Sequence, residues 1–357
     1  MFEERLYMRY DQNYWDDVNE VVRIIPSIDK LKKKSVLITG GTGLIGSAVV
    51  DILVFLNEKN NMNIKIYVAS RSRGSVNRRF PGFIDKGFIH FYPYEATKDT
   101  VLDFVPDYII HAASNASPDS YTSQPVETIL GNVIGLNSLL SFASKHKVKR
   151  VLYVSSSEVY GKKEGDLPFE EFDYGFVDPL NTRSCYPNSK RLSETLCVSY
   201  YDEYDVDVVM VRPGHIYGPS INPKDNRASA FFSRCAANGE NIIMKSDGSQ
   251  LRSYMHSLDC ASAILVVLLY GKTTQAYNLS NPSSIVTVKE MAQAFAKAGK
   301  VSVIQENASA IELKGFNPMS NSSLNSKRLE SLGWRGYFDM NSGALQTIRY
   351  LKDSNDE

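Results

Sequence analysis

The sequence predicts an α/β protein: a doubly wound parallel sheet with a smaller lobe in the C-terminal part of the chain. Between residues 35 and about 160, short apolar runs alternate with longer segments of helical periodicity, which is typical of right-handed βαβ units. The first apolar run ends in a glycine-rich turn, TGGTGLIG over residues 39–46, and a helical pattern follows directly. A chain of 357 residues accommodates one large domain or two closely joined lobes.

The order of elements begins with a helical extension over residues 1–34, where Trp15, Val18, Val22 and Ile25 recur at helical spacing. We expect this helix to pack on the body of the protein. Strands are predicted at 35–39, 64–69, 88–92, 107–111, 149–154, 206–211 and 274–280. Helices are predicted at 43–57, 125–146, 186–203 and 288–298, with a short one near 98–104 and a buried one around 264–269.

Domain boundaries follow from this order. Proline and glycine after residue 212 mark the point where the chain leaves the sheet. We assign a nucleotide-binding domain to 35–212, which also receives about 256–282. The smaller lobe is assigned to 213–255 and 283–350.

Bulk composition excludes several classes of function. The 40 Lys and Arg residues balance 40 Asp and Glu residues, so we expect neither a nucleic acid nor a membrane surface as a partner. The four cysteines lack CxxC or Cys/His ligand spacing. We therefore expect no metal site, and reduced thiols in a cytoplasmic protein. The N-terminus lacks the apolar segment of a cleavable signal peptide.

The turn after the first strand predicts a dinucleotide site of the Rossmann type. Gly40 permits the tight turn, Gly43 lets the backbone approach a pyrophosphate, and Gly46 lets the helix pack closely on the strand. The helix N-terminus offers free N–H groups and a partial positive charge to the phosphates. The same turn contributes three further candidate cofactor contacts, Thr42, Leu44 and Ile45.

The end of the second strand leaves the choice between NAD and NADP open. An acidic residue there would bind the ribose hydroxyls of adenosine and favour NAD, but the chain has Ser70 and Arg71. These two residues can take the 2′-phosphate of NADP. Alternatively, Arg71 stacks on the adenine ring.

The fourth strand runs into a stretch of small residues at the sheet edge where ligands bind in open α/β folds. Ala112 and Ala113 let a cofactor lie against the backbone, and Ser117 is a candidate contact for the substrate. We interpret His111, at the strand end, as a packed residue rather than a ligand.

The fifth strand ends in polar residues at the same crevice, Ser156, Ser157 and Glu158. Glu158 is either a general base or a surface loop residue, and its context favours the base. Farther along, Tyr186 and Lys190 are four residues apart and share a helix face. A nearby ammonium lowers the pKa of a phenol, which makes Tyr186 a usable base.

Candidate phosphate contacts follow the sixth strand. Arg227 and Arg252 stand in predicted loops, where two arginines can clamp a second diphosphate. The alternative is that both are solvated loop arginines.

Several ordered motifs together resemble the extended short-chain dehydrogenase/reductase family, in its nucleotide-sugar epimerase/dehydratase branch. They are TGGTGLIG, HAASNASP, SSSEVYG, YPNSK, RPGHIYGP, GSQLRSYMHSLDCA and SLGW, and they cover about residues 35 to 350. The resemblance implies a bound nicotinamide cofactor, a nucleoside-diphosphate sugar as substrate, and a catalytic set on Ser156, Tyr186 and Lys190. It also implies a homodimer through the helices near 125–146 and 186–203, and a place in polysaccharide biosynthesis.

The chemistry implied by the resemblance is a transient oxidation, most often at C4 of the sugar. Tyr186 takes the hydroxyl proton while hydride moves to the nicotinamide, and Ser156 hydrogen-bonds the same oxygen. Lys190 holds the ribose and stabilises the tyrosinate. The 4-keto sugar then has acidified neighbouring C–H bonds, which Glu158 is placed to exploit.

Three departures from the family pattern bear on the reaction. Ser157 stands where 4,6-dehydratases have an acid. Asn317 stands where UDP-glucuronate decarboxylases, similar around SSSEVYG and RSCYPNSKR, have an arginine. His215 replaces an asparagine that contacts the diphosphate, although imidazole still donates a hydrogen bond.

Ser157 and His215 therefore stay candidate substrate contacts. Epimerisation needs the fewest special groups and is the expected reaction. Decarboxylation and 4,6-dehydration are the alternatives, and a non-catalytic NAD(P)-binding sensor is the alternative from another class.

Overall fold

The computed structural model describes residues 10–116, 118–223, 225–306 and 319–352. Among these residues the strands are β1 (Ser35–Thr39), β2 (Lys65–Ser70), β3 (Ile89–Pro93), β4 (Tyr108–His111), β5 (Arg150–Val154), β6 (Val208–Pro213), β7 (His215–Tyr217), β8 (Ile242–Met244), β9 (Leu251–His256), β10 (Ala276–Leu279), β11 (Ile285–Thr287), β12 (Val303–Gln305) and β13 (Asn321–Ser322). The helices are α1 (Gln12–Arg23), α2 (Leu44–Asn60), α3 (Arg73–Arg79), α4 (Pro118–Ser123), α5 (Pro125–Lys145), α6 (Cys185–Tyr204), α7 (Ala228–Ala237), α8 (Ser257–Tyr270), α9 (Val288–Gly299), α10 (Lys327–Glu330) and α11 (Met340–Lys352).

A seven-stranded parallel sheet forms the centre, in the order β10–β6–β5–β4–β1–β2–β3. The chain winds outward from β1 to β3 and then restarts at β4 on the other side of β1. This reversal of direction is the point where doubly wound sheets bind ligands. In the register, Thr39 of β1 lies beside His111 of β4, which lies beside Tyr153 of β5. The predicted doubly wound α/β fold is confirmed.

Different helices bury the two faces of the sheet. Ile110 and Leu152 point toward the core formed with α1, α2 and α8. Their neighbours Ile109 and Val151 point toward the core formed with α5 and α6. This alternation follows from the two-residue period of a strand, and it makes the central strands apolar on both sides.

One local prediction was wrong, and several short elements were not predicted. The segment 98–104 is not helical, because Thr100 exchanges two backbone hydrogen bonds with the Ser138 hydroxyl of α5, at 2.7 and 3.0 Å. Helix α3 was missed, because its seven residues contain a single large apolar side chain, Val76, and show no periodicity. The other predicted strands and helices form within a few residues of their expected bounds.

Helix α1 packs on the body of the protein. The Tyr14 hydroxyl donates to the buried Asp51 carboxylate of α2 at 2.6 Å, and Arg79 forms an ion pair with the same carboxylate at 2.5 Å. Because both charges are almost fully buried, removal of one partner would leave the other unpaired at high cost. Just before the helix, Asp11 accepts a hydrogen bond from Tyr350 of α11 at 3.1 Å.

The chain beyond β6 builds a smaller lobe. Strands β7, β11 and β13 pair with β9 in a second sheet. Helices α7, α9 and α11 pack on one another over a separate apolar core. Strand β10 returns to the large sheet beside β6, so the two parts are interleaved along the chain.

Helix α5 has an apolar composition. Among the described residues it is the helix that is long and apolar enough to cross a membrane, and 56% of its most apolar stretch is buried inside the protein. It contacts α6 and contributes Leu136 and Leu139 to the core under the sheet. We therefore describe it as a core helix.

Candidate active site

The glycine turn brings the ends of β1 and β4 together. Gly40 has φ +67°, and a Cβ there would lie 2.8 Å from backbone atoms of Ala112 and Ala113. A Cβ at Gly46 would lie 2.4 Å from the carbonyl oxygen of Gly40. Real side chains do not approach backbone atoms this closely, so both positions require glycine.

The N-terminus of α2 is open to an anion. Gly43 caps the helix without a side chain, and the first turn, which the structure describes in full, contains no acidic residue. Gly43 is exposed, and Thr42, Leu44 and Ile45 are partly exposed beside it. The first N–H groups of a helix have no helical acceptor. The turn therefore fits the pyrophosphate of a dinucleotide.

Ser70 and Arg71 lie at the same edge of the sheet. Ser70 is the last residue of β2, and its carbonyl accepts a hydrogen bond from the Tyr94 N–H at 3.1 Å. Arg71 follows with an exposed side chain. Both residues stand where the adenosine end of a dinucleotide lies in this fold.

Tyr186 and Lys190 lie in the first two turns of α6, at the carboxyl end of β5. The Lys190 side chain is 1% exposed, and its ammonium donates to the Val154 carbonyl at 2.9 Å. Burial lowers the pKa of Lys190 to about 7, although the nearby Glu194 carboxylate opposes this effect. Its Nζ lies 5.6 Å from the ring centre of Tyr186. The cation therefore faces the phenol that the sequence predicts as the base.

Ser156 completes the predicted catalytic set. Burial, and then the charge of Glu158, raise the pKa of Tyr186 to about 12, while side-chain hydrogen bonding with Ser156 and Tyr121 lowers it. The Ser156 hydroxyl also accepts the Glu158 N–H at 3.2 Å, at the start of the short turn Ser157–Tyr160. The structure thus brings Ser156, Tyr186 and Lys190 to one place.

Glu158 lies in the same place but is engaged in an ion pair. Its two carboxylate oxygens lie 3.2 Å from the two terminal nitrogens of Arg183. Both side chains are partly exposed, 39% for Glu158 and 44% for Arg183. Both carboxylate oxygens of Glu158 are therefore occupied by Arg183 in this structure.

Sequence reasoning missed two residues of this site, Tyr121 and Arg183. The Tyr121 ring, from α4, stacks on Tyr186 with ring centres 4.5 Å apart. The Arg183 guanidinium carbon lies 4.6 Å from the centre of the Tyr121 ring. Tyr121 follows the HAASNASP motif and Arg183 opens RSCYPNSKR. Single residues of these types carry no specific signal, so only the fold reveals that they meet.

The lobe contributes a group of basic side chains, His215, Arg227 and Arg252. Burial and the charges of both arginines lower the pKa of His215 to about 4. Its Nδ1 is buried and has no hydrogen-bond partner among the described residues. Arg252 is 5% exposed and donates to two backbone carbonyls at 2.9 and 3.0 Å, with no carboxylate partner in the described part of the chain. Arg227, in contrast, pairs with Asp225.

Three remaining predictions concern single residues. Ser157 is half-buried in the turn after Ser156. His111 is fully buried and shares a hydrogen bond with the Thr39 hydroxyl at 2.7 Å, as expected for a packed residue at a strand end. Ser117 lies outside the described residues.

The sequence model of the NAD dependent epimerase/dehydratase family matches residues 36–280. The chain belongs to this family. UDP-glucuronic acid decarboxylase 6 of Arabidopsis thaliana is 32% identical over 308 residues, which are 86% of each chain. An epimerase of Methanothermobacter thermautotrophicus has a TM-score of 0.78 at 20% identity, covering 93% of this chain and 96% of that one.

A second solved structure with a similar fold is the UDP-glucuronic acid 4-epimerase of Bacillus cereus, solved with UDP-glucuronic acid and NAD. Its TM-score is 0.73 at 17% identity, covering 89% of this chain and 99% of that one. At such identities the two solved structures show a common fold.

Membership of the NAD-dependent epimerase/dehydratase family confirms that the chain is an enzyme and that NAD is its cofactor. The residues present fit that cofactor. The glycine turn and the open N-terminus of α2 suit its pyrophosphate, and the buried Lys190 ammonium faces the crevice above β5.

Proposed function

We propose that this enzyme transiently oxidises the C4 hydroxyl of a UDP-linked hexuronic acid and releases the C4 epimer. The observation that carries the proposal is the placement of the Tyr186 phenol beside Ser156 and the Lys190 ammonium. The relatives suggest the substrate class, because the plant decarboxylase and the bacterial 4-epimerase are both named for UDP-glucuronic acid.

The catalytic residues together move the proton of the sugar hydroxyl that is oxidised. Bound NAD would supply the hydride acceptor for the oxidation of the sugar and the hydride donor for the later reduction. Tyr186 takes the proton from the hydroxyl that is oxidised, and Ser156 donates a hydrogen bond to the same oxygen. The positive charge of Lys190 favours the tyrosinate that this step requires. Tyr186 gives the proton back when the keto group is reduced, so the overall reaction is redox-neutral.

Arg252 supports a diphosphate as the second anion in the crevice. A buried guanidinium without a carboxylate partner is costly unless a ligand neutralises it. Phosphate oxygens match the guanidinium geometry, and the nearby Arg227 and the neutral His215 provide further donors. These three residues would therefore hold the diphosphate of the nucleotide sugar.

Decarboxylation of the same substrate is the second candidate, because a 32% identical relative is a UDP-glucuronic acid decarboxylase. The resemblance assigns an arginine to that step, and this chain has Asn317 at the matching position. The acid of 4,6-dehydratases is replaced by Ser157. Epimerisation requires neither the arginine nor the acid. The replacement of both residues in this chain therefore favours epimerisation.

The test is mass spectrometry of a nucleotide-sugar panel, including UDP-glucuronate, incubated with the purified enzyme in D2O. Unchanged mass with a new retention time supports C4 epimerisation. Loss of CO2 identifies a decarboxylase, and loss of water identifies a dehydratase. No change with any donor, together with tightly bound NAD, contradicts the proposed substrate class. The Tyr186→Phe variant is the control for contaminating activity.

We also propose a homodimer in which α5 and α6 of two copies form a four-helix bundle. The two helices pack together and leave large apolar side chains exposed: Val126, Ile129, Leu130, Leu192, Tyr201 and Tyr204. Light scattering tests this, with Leu130→Asp expected to produce monomers. A monomeric wild-type protein would contradict the proposal.

A cytoplasmic location is proposed as well. The four cysteines, at 185, 197, 235 and 260, are buried free thiols. This state suits a reducing compartment. Fractionation of cells that express the tagged protein tests the location.

A further inference from the structure

A cavity of about 340 Å³ lies where α1 meets α11, and none of its lining residues belongs to the candidate active site. One face of α11 lines this cavity, with Ser342, Leu345, Gln346 and Arg349 at helical spacing. Helix α1 contributes Asp17. The cavity is thus built from elements that the proposed reaction does not use.

Two aromatic residues just before α11 form a fixed wall of the cavity. The N–H groups of Tyr337 and Phe338 donate to the buried Asp259 carboxylate at 3.0 Å each, and the Phe338 carbonyl accepts from Asn281 at 2.7 Å. The two rings meet edge to face, with centres 4.8 Å apart. Phe338 is buried, whereas Tyr337 is 43% and Leu345 50% exposed. Large apolar side chains that stay exposed beside a cavity are typical of a binding site.

The Gln346 side chain supplies a hydrogen-bond donor with a fixed direction. The Leu258 N–H donates to Nδ1 of His256 at 3.3 Å, so the neutral imidazole carries its proton on Nε2. Burial lowers the pKa of His256 to about 3, which keeps the ring neutral. Nε2 therefore donates to Oε1 of Gln346 at 2.9 Å, and the amide nitrogen is turned away from His256. Gln346 is 3% exposed, and this nitrogen has no hydrogen-bond partner among the described residues.

Asp17 supplies an acceptor beside this donor. Its Oδ2 is buried and likewise lacks a hydrogen-bond partner in the described ranges of the chain. Burial raises the pKa of the Asp17 carboxyl, while the charge of Arg349 and the Gln346 amide lower it, so the three groups lie near one another. A buried donor and a buried acceptor that are both unpaired cost free energy, and a ligand that pairs with both recovers it.

We propose that this cavity is a second nucleotide site, which takes a nucleoside 5′-monophosphate. The edge of a base presents a donor and an acceptor side by side, as N6–H and N1 of adenine or N3–H and O4 of uracil do. The donor fits Asp17, and the acceptor fits Gln346. Tyr337 offers a ring surface for stacking, and the exposed Arg349 matches a phosphate at the rim. This inference is independent of the proposed function.

Photolabelling locates the nucleotide on the chain. NAD-loaded enzyme is irradiated with 8-azido-AMP or 5-azido-UMP and digested with trypsin, which cuts after Arg335 and Arg349 and releases residues 336–349 as one peptide. This peptide contains six of the seven lining residues. We expect label on it, and an excess of unlabelled AMP or UMP should displace the label. Label from one probe alone identifies the base as a purine or a pyrimidine. The inference is overturned if neither probe labels this peptide, or if the label is not displaced.

Two variants test the polar contacts with the base. Gln346→Met removes the donor, and Asp17→Asn replaces one acceptor oxygen by a donor. Each should raise the nucleotide concentration at half-maximal labelling about tenfold, because one polar group of the base is left unpaired. Gln346→Met also loses the contact with His256, so Asp17→Asn decides the case if Tm falls. Gln305→Met, at an exposed glutamine of β12, is the matched control. Unchanged half-maximal labelling in Asp17→Asn contradicts the inference.

A third variant tests the phosphate contact. In Arg349→Met the labelled peptide extends to Lys352. Unlabelled AMP or UMP should compete about tenfold more weakly than in wild type, since a charge-assisted hydrogen bond is lost. The corresponding nucleosides, which lack the phosphate, should compete equally in both proteins. Equal competition by the monophosphates would contradict the assignment of the phosphate to Arg349.

Discussion

The Lys190 ammonium donates a hydrogen bond to the carbonyl of Val154, 2.9 Å away, so the last residue of β5 holds the cation that faces Tyr186. The cation is withdrawn from water, with 1% of the residue exposed. One contact thus joins a catalytic group to the edge of the sheet, and it links the stability of the protein to pH.

The stability of the ligand-free protein should depend on the charge of Lys190. Burial lowers the pKa of Lys190 from 10.5 to about 7. Between these values the unfolded chain binds a proton that the folded protein has lost, so this group makes stability rise with pH. The slope is at most about 1.4 kcal/mol per pH unit. Urea unfolding should show that the free energy of unfolding of wild type, relative to that of Lys190→Met, is larger at pH 9 than at pH 7. A pH-independent difference would contradict this, and Lys59→Met, at an exposed lysine, is the control.

Substitution of Tyr186 by Phe should remove turnover while retaining the cofactor. The phenol supplies the proton transfer, which is worth about 10³-fold in rate, whereas the ring and its stack on Tyr121 remain. Steady-state kinetics should show this loss, and equilibrium dialysis should show NAD affinity within about threefold of wild type. Turnover at the wild-type rate would rule out Tyr186 as the base.

His215 should make substrate binding depend on pH. Burial, Arg252 and Arg227 lower its pKa to about 4, its ring packs near Tyr254, and the Ser253 backbone opposes the shift. A bound diphosphate neutralises the arginine charges and raises the pKa of the imidazole in the complex. A group whose pKa rises on binding makes affinity increase as pH falls.

Calorimetry with a UDP-sugar should therefore show tighter binding at pH 5 than at pH 7, with proton uptake. His215→Asn should bind with no such dependence. Equal affinity of wild type at both pH values would show that His215 does not contact the diphosphate.

Gly46→Ala should damage both the fold and the cofactor site. The new Cβ would lie 2.4 Å from the Gly40 carbonyl oxygen, so the start of α2 must move. Overpacking of this kind costs about 1–3 kcal/mol. Thermal unfolding should show a lower Tm, and NAD titration should show weaker binding of the cofactor. Gly74→Ala in α3 is the control, because its nearest contact would be 3.4 Å, and it should unfold at or above the wild-type temperature.

The sequence predicts the large sheet well because each strand is a short apolar run ending in turn residues. The ends of β1, β4 and β5 are also adjacent by topology, so Gly40, Ala112 and Ser156 could be placed at one edge before any coordinates. Hydrogen bonds between residues far apart in the chain override such patterns. The segment 98–104 is irregular rather than helical because Ser138 holds Thr100, and that contact joins residues 38 apart.

The site is less predictable where its members come from distant segments. Tyr121 and Tyr186 meet only because α4 packs against α5 and against the turn that precedes α6. Glu158 was predicted as a base, and the bidentate contact with Arg183 shows an ion pair that spacing could not reveal. For Arg252 the sequence left open whether the side chain is functional or simply solvated. A solvated loop arginine was the alternative, and the structure buries it in β9.

The hydrogen bond from Tyr350 to Asp11 joins residues 339 positions apart. During synthesis on the ribosome, α1 therefore emerges long before α11, the helix that contains Tyr350. The Tyr14 ring, which packs edge-on against Tyr350 with ring centres 5.3 Å apart, stays uncovered on that side until α11 has been made. Docking of α11 is therefore a late step of folding. Deletion of α11 would leave this side of α1 accessible to chaperones and proteases.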